Sequence, residues 1–86
     1  MKTIVTISII HENAKAKEIT KINDYSLSET YMPFVPNKIN GNEVVDVEYF
    51  TENQVYEITL DPIFHDNLDI FNDECNEIER LGFKPY

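Results

Sequence analysis

Hydrophobic and polar residues alternate at the start of the chain. Val5, Ile7 and Ile9 would project to one side of an extended backbone, and the hydroxyl residues between them to the other. A period of two over several residues is typical of a β-strand that buries one face. We therefore predict a strand over residues 3–10.

The next stretch, residues 13–23, has a different spacing. Ala16, Ile19 and Ile22 recur every three residues, and Asn13 can cap the start of a helix. We predict a short helix here. Because β-branched residues are frequent in this stretch, a strand that pairs back onto the first one is the alternative.

Residues 24–42 show no regular period. Pro33 and Pro36 exclude a regular helix and restrict any strand to a sheet edge. The stretch is too rich in apolar residues for a free linker, so we predict an ordered loop that packs against the domain, with an edge strand as an option. Asn40-Gly41 is a strong turn signal before the next strand.

Two alternating stretches, residues 43–50 and 55–60, predict a β-hairpin with a four-residue loop. One face of this hairpin is apolar and carries Val45, Val47, Tyr49, Tyr56, Ile58 and Leu60. The opposite face is polar and carries Asp46, Glu48, Glu57 and Thr59. The hairpin therefore has one face for a core and one acidic face for solvent.

The last long pattern predicts an amphipathic helix over residues 62–81. Its apolar stripe has spacings of four and three and consists of Phe64, Leu68, Phe71, Cys75 and Ile78. Asp61-Pro62 is a typical helix start, since a capping carboxylate precedes a proline in the first turn. Gly82 can end the helix, and Phe83 can then contact Ile78 as in a Schellman cap. The face opposite the stripe carries Asp66, Asp69, Asp73 and Glu77.

Together these elements predict one α+β domain over residues 1–86. The N-terminal strand and the 43–60 hairpin would form a small antiparallel sheet, and the long C-terminal amphipathic helix would cover one face of it. A chain of 86 residues has enough apolar residues for one small core.

Charge is distributed unevenly along the chain, whose net charge is −9 at pH 7. Residues 1–42 contain five lysines and four acidic residues, whereas residues 43–86 contain two cations and twelve acidic residues. No Lys or Arg lies between Lys38 and Arg80. This half would repel nucleic acid and anionic membranes, so we expect neither as a direct partner.

Residues suited to catalysis are sparse. Catalytic carboxylate pairs need a cleft with two different environments, whereas the acidic residues here lie on faces predicted to be solvated. His65 and Asp69 could coordinate a metal ion, but two such ligands often arise by chance, and the chain has no calcium-binding or glycine-rich phosphate loop. Cys75 is the only cysteine and falls on the apolar stripe, which predicts a buried thiol. We expect a cytoplasmic protein that is no enzyme and binds no cofactor or metal.

The acidic surface is the main functional signal. Its predicted partner-binding residues are Asp46, Glu48, Glu57, Asp66, Asp69, Asp73 and Glu77. On rigid strands and helices such carboxylates repeat about every 6–7 Å, a step similar to that of successive phosphates along a nucleic-acid strand. A protein that presents them can occupy a basic groove evolved for DNA or RNA. Solubility alone is the alternative explanation for such a surface.

In size, charge layout and its hairpin-plus-acidic-helix outline, the chain resembles the small acidic inhibitors that phages make during host takeover. The resemblance implies a DNA mimic that occupies the basic nucleic-acid-binding surface of a bacterial host protein, such as a histone-like nucleoid protein, a restriction enzyme or a CRISPR nuclease. It also leaves open a homodimer paired through an edge strand near residues 30–39. The alternative is an immunity protein or antitoxin whose acidic face plugs the active site of a basic toxin such as a nuclease.

Overall fold

A computed structural model shows a curled, mixed β-sheet with one short helix on one face. The structure describes residues 2–13, 15, 18–29 and 37–85. The strands are β1 (Lys2–Asn13), β2 (Glu18–Glu29), β3 (Lys38–Ile39), β4 (Asn42–Phe50), β5 (Val55–Leu60), β6 (Ile63–His65) and β7 (Lys84–Pro85), and the helix is α1 (Leu68–Arg80). Hydrogen bonding orders the strands β3-β4-β5-β1-β2-β7, and β6 pairs with β1 as well. The predicted fold, a small antiparallel sheet under a long helix, is therefore wrong: 62% of the described chain is strand, and the helix has 13 residues.

The longest elements are β1 and β2, which form an antiparallel hairpin of two 12-residue strands. The strand predicted over residues 3–10 is confirmed as the centre of β1. The helix predicted over residues 13–23 is wrong, because the chain from Glu18 onward is strand. Ile19 and Ile22 of β2 gain cross-strand neighbours on β1, Glu12 and Ile10, and this pairing outweighs a weak threefold spacing.

The loop predicted over residues 24–42 is also wrong in its first part, where β2 continues to Glu29. Tyr25 and Leu27 lie opposite Ile7 and Val5 of β1. These apolar residues therefore pack within the sheet and do not belong to a loop.

The turn predicted at Asn40-Gly41 is confirmed. Both residues have positive φ, +51° and +80°, and they join the short strand β3 to β4. Residues 14, 16 and 17 of the predicted helix and residues 30–36 of the predicted loop lie outside the described residues.

The hairpin predicted over residues 43–60 is confirmed as β4 and β5. Its register shifts between Val44 and Asp46, so that Val45 forms a bulge and Val44 lies opposite Leu60. Val45, which simple alternation placed on the apolar face, is consequently 55% exposed.

The hairpin joins β1 in parallel orientation, whereas the prediction was an antiparallel sheet. β5 pairs with β1 from Lys2 to Thr6, and β6 continues the pairing from Ile9 to His11. Asp61-Pro62 separates β5 from β6, because proline has no N–H to donate to a strand ladder. The helix predicted to start at this point is therefore wrong in its first turns.

The helix α1 begins at Leu68 instead. Its N-cap is Asn67, whose side-chain oxygen accepts hydrogen bonds from the N–H groups of Asp69 and Ile70 at 2.9 and 3.3 Å. The proline signal and the cap signal thus mark different boundaries, the end of one strand and the start of the helix.

The end of α1 follows the prediction. Gly82 has φ +103°, and the Phe83 N–H donates to the Ile78 carbonyl at 3.3 Å, as a Schellman cap requires. The chain then adds β7 to the outer edge of β2.

The core lies between α1 and one face of the sheet. Its buried members are Val5, Ile7, Ile9, Tyr25, Ile58, Leu60, Phe71, Cys75, Ile78 and Phe83. The burial predicted for Cys75 is thus confirmed. In the described part of the chain α1 packs on β1, β2 and β6, and it leaves the opposite face of the sheet uncovered. No helix among the described residues has the length and apolar character needed to cross a membrane.

Candidate acidic binding groove

The uncovered face of the sheet forms a concave groove. Because β1 alternates, the residues between Val5, Ile7 and Ile9 project away from the core and into this groove. The groove has a volume of about 350 Å³ and is bordered by β1, β2, β4 and β5. Its polar lining consists of Thr6, Ser8, Asp24, Asp46, Glu48, Glu57 and Thr59.

Strand register arranges the lining in rows across the sheet. Asp46 lies opposite Thr59, which lies beside Thr6 of β1. In the next row Glu48 lies directly opposite Glu57. Such cross-strand neighbours have Cβ atoms about 4.5–5.5 Å apart, so two like charges are held close together.

Asp24 on β2 forms the other wall of the groove. The Ser8 hydroxyl donates a hydrogen bond of 2.6 Å to the Oδ1 atom of Asp24. This bond fixes the carboxylate and still leaves lone pairs for a ligand. Three strand spacings separate β4 from β2, so the acidic walls are about 14 Å apart along the curled sheet and closer in a straight line.

The carboxylates of the groove have no balancing cation. The residues that line it include no Lys, Arg or His. Among the described residues a single ion pair is formed, between Arg80 and Glu77 at 2.9 Å, and it lies on α1. Since like charges that face each other destabilise a sheet, the groove has an energetic cost that a cationic partner would offset.

The structure brings together three of the seven predicted partner-binding residues. Asp46, Glu48 and Glu57 share the groove. The other four, Asp66, Asp69, Asp73 and Glu77, lie on α1 and on the turn before it. They are on the opposite side of the sheet, so the carboxylates form two separate acidic surfaces, with the core between them.

Asp24 was not predicted as a site residue, because it fell in the predicted loop. The available signal was a period of two: Asp24, Ser26 and Ser28 alternate with Tyr25 and Leu27. Even with that signal, the position of β2 next to β1 in the sheet requires the tertiary structure.

The oxygen atoms of the groove determine which ligands it suits. Carboxylates accept short, charge-assisted hydrogen bonds from guanidinium and ammonium groups. Within the described residues, no three His, Cys, Asp or Glu side chains converge closely enough to hold a metal ion. The arrangement therefore suits cationic groups that donate hydrogen bonds.

A second polar cluster lies beneath α1, buried in the core. Asn23 donates a hydrogen bond from Nδ2 to the Cys75 sulfur at 3.3 Å. Burial, followed by the neighbouring Cys75 thiol and the Glu79 carboxylate, raises the pKa of the Tyr25 phenol to about 12. Tyr25 is 4% exposed and neutral at physiological pH, so it contributes to packing.

Fold and groove together define a small mixed-sheet protein with an acidic concave face. Comparisons with protein-family models, with curated proteins and with solved structures found no match to this chain.

Proposed function

We propose that the protein is an acidic DNA mimic that inhibits a host protein by binding its basic nucleic-acid-binding surface, and that the groove makes the contact. One observation carries the proposal. Four carboxylates, of Asp24, Asp46, Glu48 and Glu57, converge on one concave face whose lining holds no cation. A partner that supplies Lys or Arg gains charge-assisted hydrogen bonds and relieves the repulsion among these acids.

The dimensions of the groove suit the cationic side chains of a helix that otherwise enters the DNA major groove. That groove is about 12 Å wide and admits an α-helix or a two-stranded ribbon. The acidic walls here are about 14 Å apart when measured along the curled sheet, and the groove volume is about 350 Å³, less than one turn of a helix occupies. A basic helix that lies over the groove can therefore place its Lys or Arg side chains between β4 and β2.

The carboxylates of α1 have a different role in this proposal. Asp66, Asp69, Asp73 and Glu77 lie away from the groove and add to the negative field of the whole molecule. Such a field attracts a basic protein over a long range and raises the association rate, and salt screens it.

Competition with DNA tests the proposal. A purified histone-like nucleoid protein is bound to a fluorescein-labelled duplex of arbitrary sequence, and this protein is added while the anisotropy is recorded. We expect release of the duplex at low salt, and an inhibition constant that weakens about tenfold or more when the salt concentration is raised. A restriction enzyme and a CRISPR nuclease are tested in the same way.

Two triple variants with the same change in net charge separate the two acidic surfaces. The groove variant carries Asp46→Asn, Glu48→Gln and Glu57→Gln, and the helix variant carries Asp66→Asn, Asp73→Asn and Glu77→Gln. The groove variant loses three charge-assisted contacts and should inhibit about 100-fold more weakly than the wild type. The helix variant loses only long-range attraction and should inhibit about threefold more weakly. Equal losses would contradict the assignment to the groove, and no release of DNA from any of the basic proteins would contradict the proposed function.

A further inference from the structure

The uncovered face of the sheet continues beyond the groove into an apolar area. Ile10 is the next residue of β1 on this face after Ser8, and its cross-strand partners are Ile22 on β2 and Phe64 on β6. Ile10 is 8% exposed and is no member of the core cluster beneath α1. We call Ile10, Ile22 and Phe64 the apolar patch.

The outer members of the apolar patch remain open to solvent. Ile22 is 52% exposed and Phe64 is 55% exposed. Ile19, which pairs with Glu12 in the following row, is 50% exposed as well. A contiguous apolar area beside a charged groove is typical of a protein-binding surface, in which charge steers the partner and an apolar contact anchors it.

We infer that the basic helix bound in the groove extends over the apolar patch, so that the partner carries an aliphatic or aromatic anchor beside its cations. The inference rests on the proposed function and specifies its partner. Thr6, in the middle of the groove, and Ile10 are four residues apart on β1, a distance of about 13 Å. On a helix that lies parallel to β1, the positions seven and eight residues away share the face of the cation and lie about 10–12 Å along the axis, close to this distance.

Charge complementarity decides which end of the face the partner covers. At the other end, Val55 lies between Lys2 of β1 and Phe50 of β4. That end is also partly apolar, but its lysine would repel a basic helix. At the end with Phe64, the rows of the apolar patch hold no lysine on this face: Lys21 projects to the helix side, with its Nζ 5.2 Å from the Phe71 ring centroid, and Lys15 lies beyond Ile19 at the hairpin tip. The cations of the partner can therefore occupy the groove while its anchor reaches the patch.

Two synthetic peptides that differ at one residue test the inference. Both are alanine-based helices with three arginines on one face, and they carry either Leu or Ser on that same face, about seven residues beyond the middle arginine. Binding is measured at low salt by the anisotropy of a fluorescein label. Because the leucine would bury apolar area on the patch, we expect it to raise the affinity about tenfold.

Substitutions in the protein locate the source of this gain. Ile22→Thr and Phe64→Thr place β-branched residues suited to a strand at half-exposed positions. Each should lower the affinity for the Leu peptide several-fold and leave the Ser peptide unaffected. The matched control is Val47→Thr, a position 40% exposed on the core side of β4, which should change neither affinity.

A measurement on the wild-type protein gives an independent test. Addition of the Leu peptide should shift the NMR signals of the Ile22 methyl groups and the Phe64 ring clearly more than addition of the Ser peptide does. If both peptides bind equally and the groove variant loses both, the inference is overturned and the proposed function stands. If neither peptide binds, or the groove variant binds both as tightly as the wild type, the proposed function fails as well.

Discussion

Replacing Glu57 by Gln should stabilise the protein, even though it removes part of the proposed binding surface. Glu57 lies directly opposite Glu48, and neither forms an ion pair with a described residue. At a separation of about 5.5 Å the repulsion between two unit charges is about 0.8 kcal/mol in water. Asp46, one row away on the same face, adds a smaller repulsion. We expect the free energy of unfolding to rise by about 0.5–1 kcal/mol and the thermal midpoint by about 3–6 °C.

Urea denaturation followed by circular dichroism measures this change. The titration is carried out at low salt and repeated at high salt, where the repulsion is screened. The control is Glu52→Gln, which makes the same charge change in the exposed loop between β4 and β5. The stabilisation by Glu57→Gln should exceed that of the control at low salt, and the difference should shrink at high salt.

Two results would refute the reasoning. One is a Glu57→Gln variant no more stable than the Glu52→Gln control at low salt, and the other is a stability difference that salt leaves unchanged. If the prediction holds and the same substitution weakens release of DNA, the groove exchanges stability for binding, as functional sites commonly do.

Three further predictions concern the fold. Phe71 is fully buried, so Phe71→Ala should lower the free energy of unfolding by about 3–5 kcal/mol in urea, and Ile70→Ala, at a 51% exposed position, by less than about 1 kcal/mol; similar losses would contradict the burial. Asn67→Ala removes the helix cap and should lower the free energy of unfolding by about 1 kcal/mol, whereas Asn67→Ser should retain most of the stability that the cap provides. Equal thermal midpoints of these two variants would contradict the role of Asn67 as the cap. Because the pKa of folded Tyr25 is raised from 10.0 to about 12, its contribution to stability is present below pH 10 and is lost as the pH rises towards 12. Tyr25→Phe should therefore show a smaller fall in thermal midpoint over that range, and a pH profile identical to that of the wild type would contradict this.

Elements with a strong local pattern were predictable. The alternation of residues 3–10 and of the 43–60 hairpin corresponds to strands, and Gly82 ends the helix as predicted. In each case the signal lies within a few residues, because side-chain period and cap geometry are local properties.

Elements whose conformation depends on a distant partner were not predictable. Only some residues of β2 are of the types that favour strands, so the pairing of β2 with β1 decides its conformation. At Asp61-Pro62 the local signal predicted a helix, yet the chain continues as β6 because β1 offers a row of hydrogen-bonding groups beside it. Phe64, which the sequence pattern predicts in the first turns of the helix, thus lies on the uncovered face of the sheet.

The candidate site shows the same division. The period of two on the hairpin determined that Asp46, Glu48 and Glu57 share one face, and alternation on β1 placed the hydroxyls of Thr6 and Ser8 opposite the core.

The sequence by itself therefore determined the acidity of the protein and the outward direction of these strand carboxylates. Only the tertiary structure decided that Asp24 joins them and that the helix carboxylates lie on the opposite side of the sheet. The physical reason is that side-chain direction follows from backbone geometry within two residues, whereas the neighbours of a strand are set by pairing, here parallel between Lys2 and Val55.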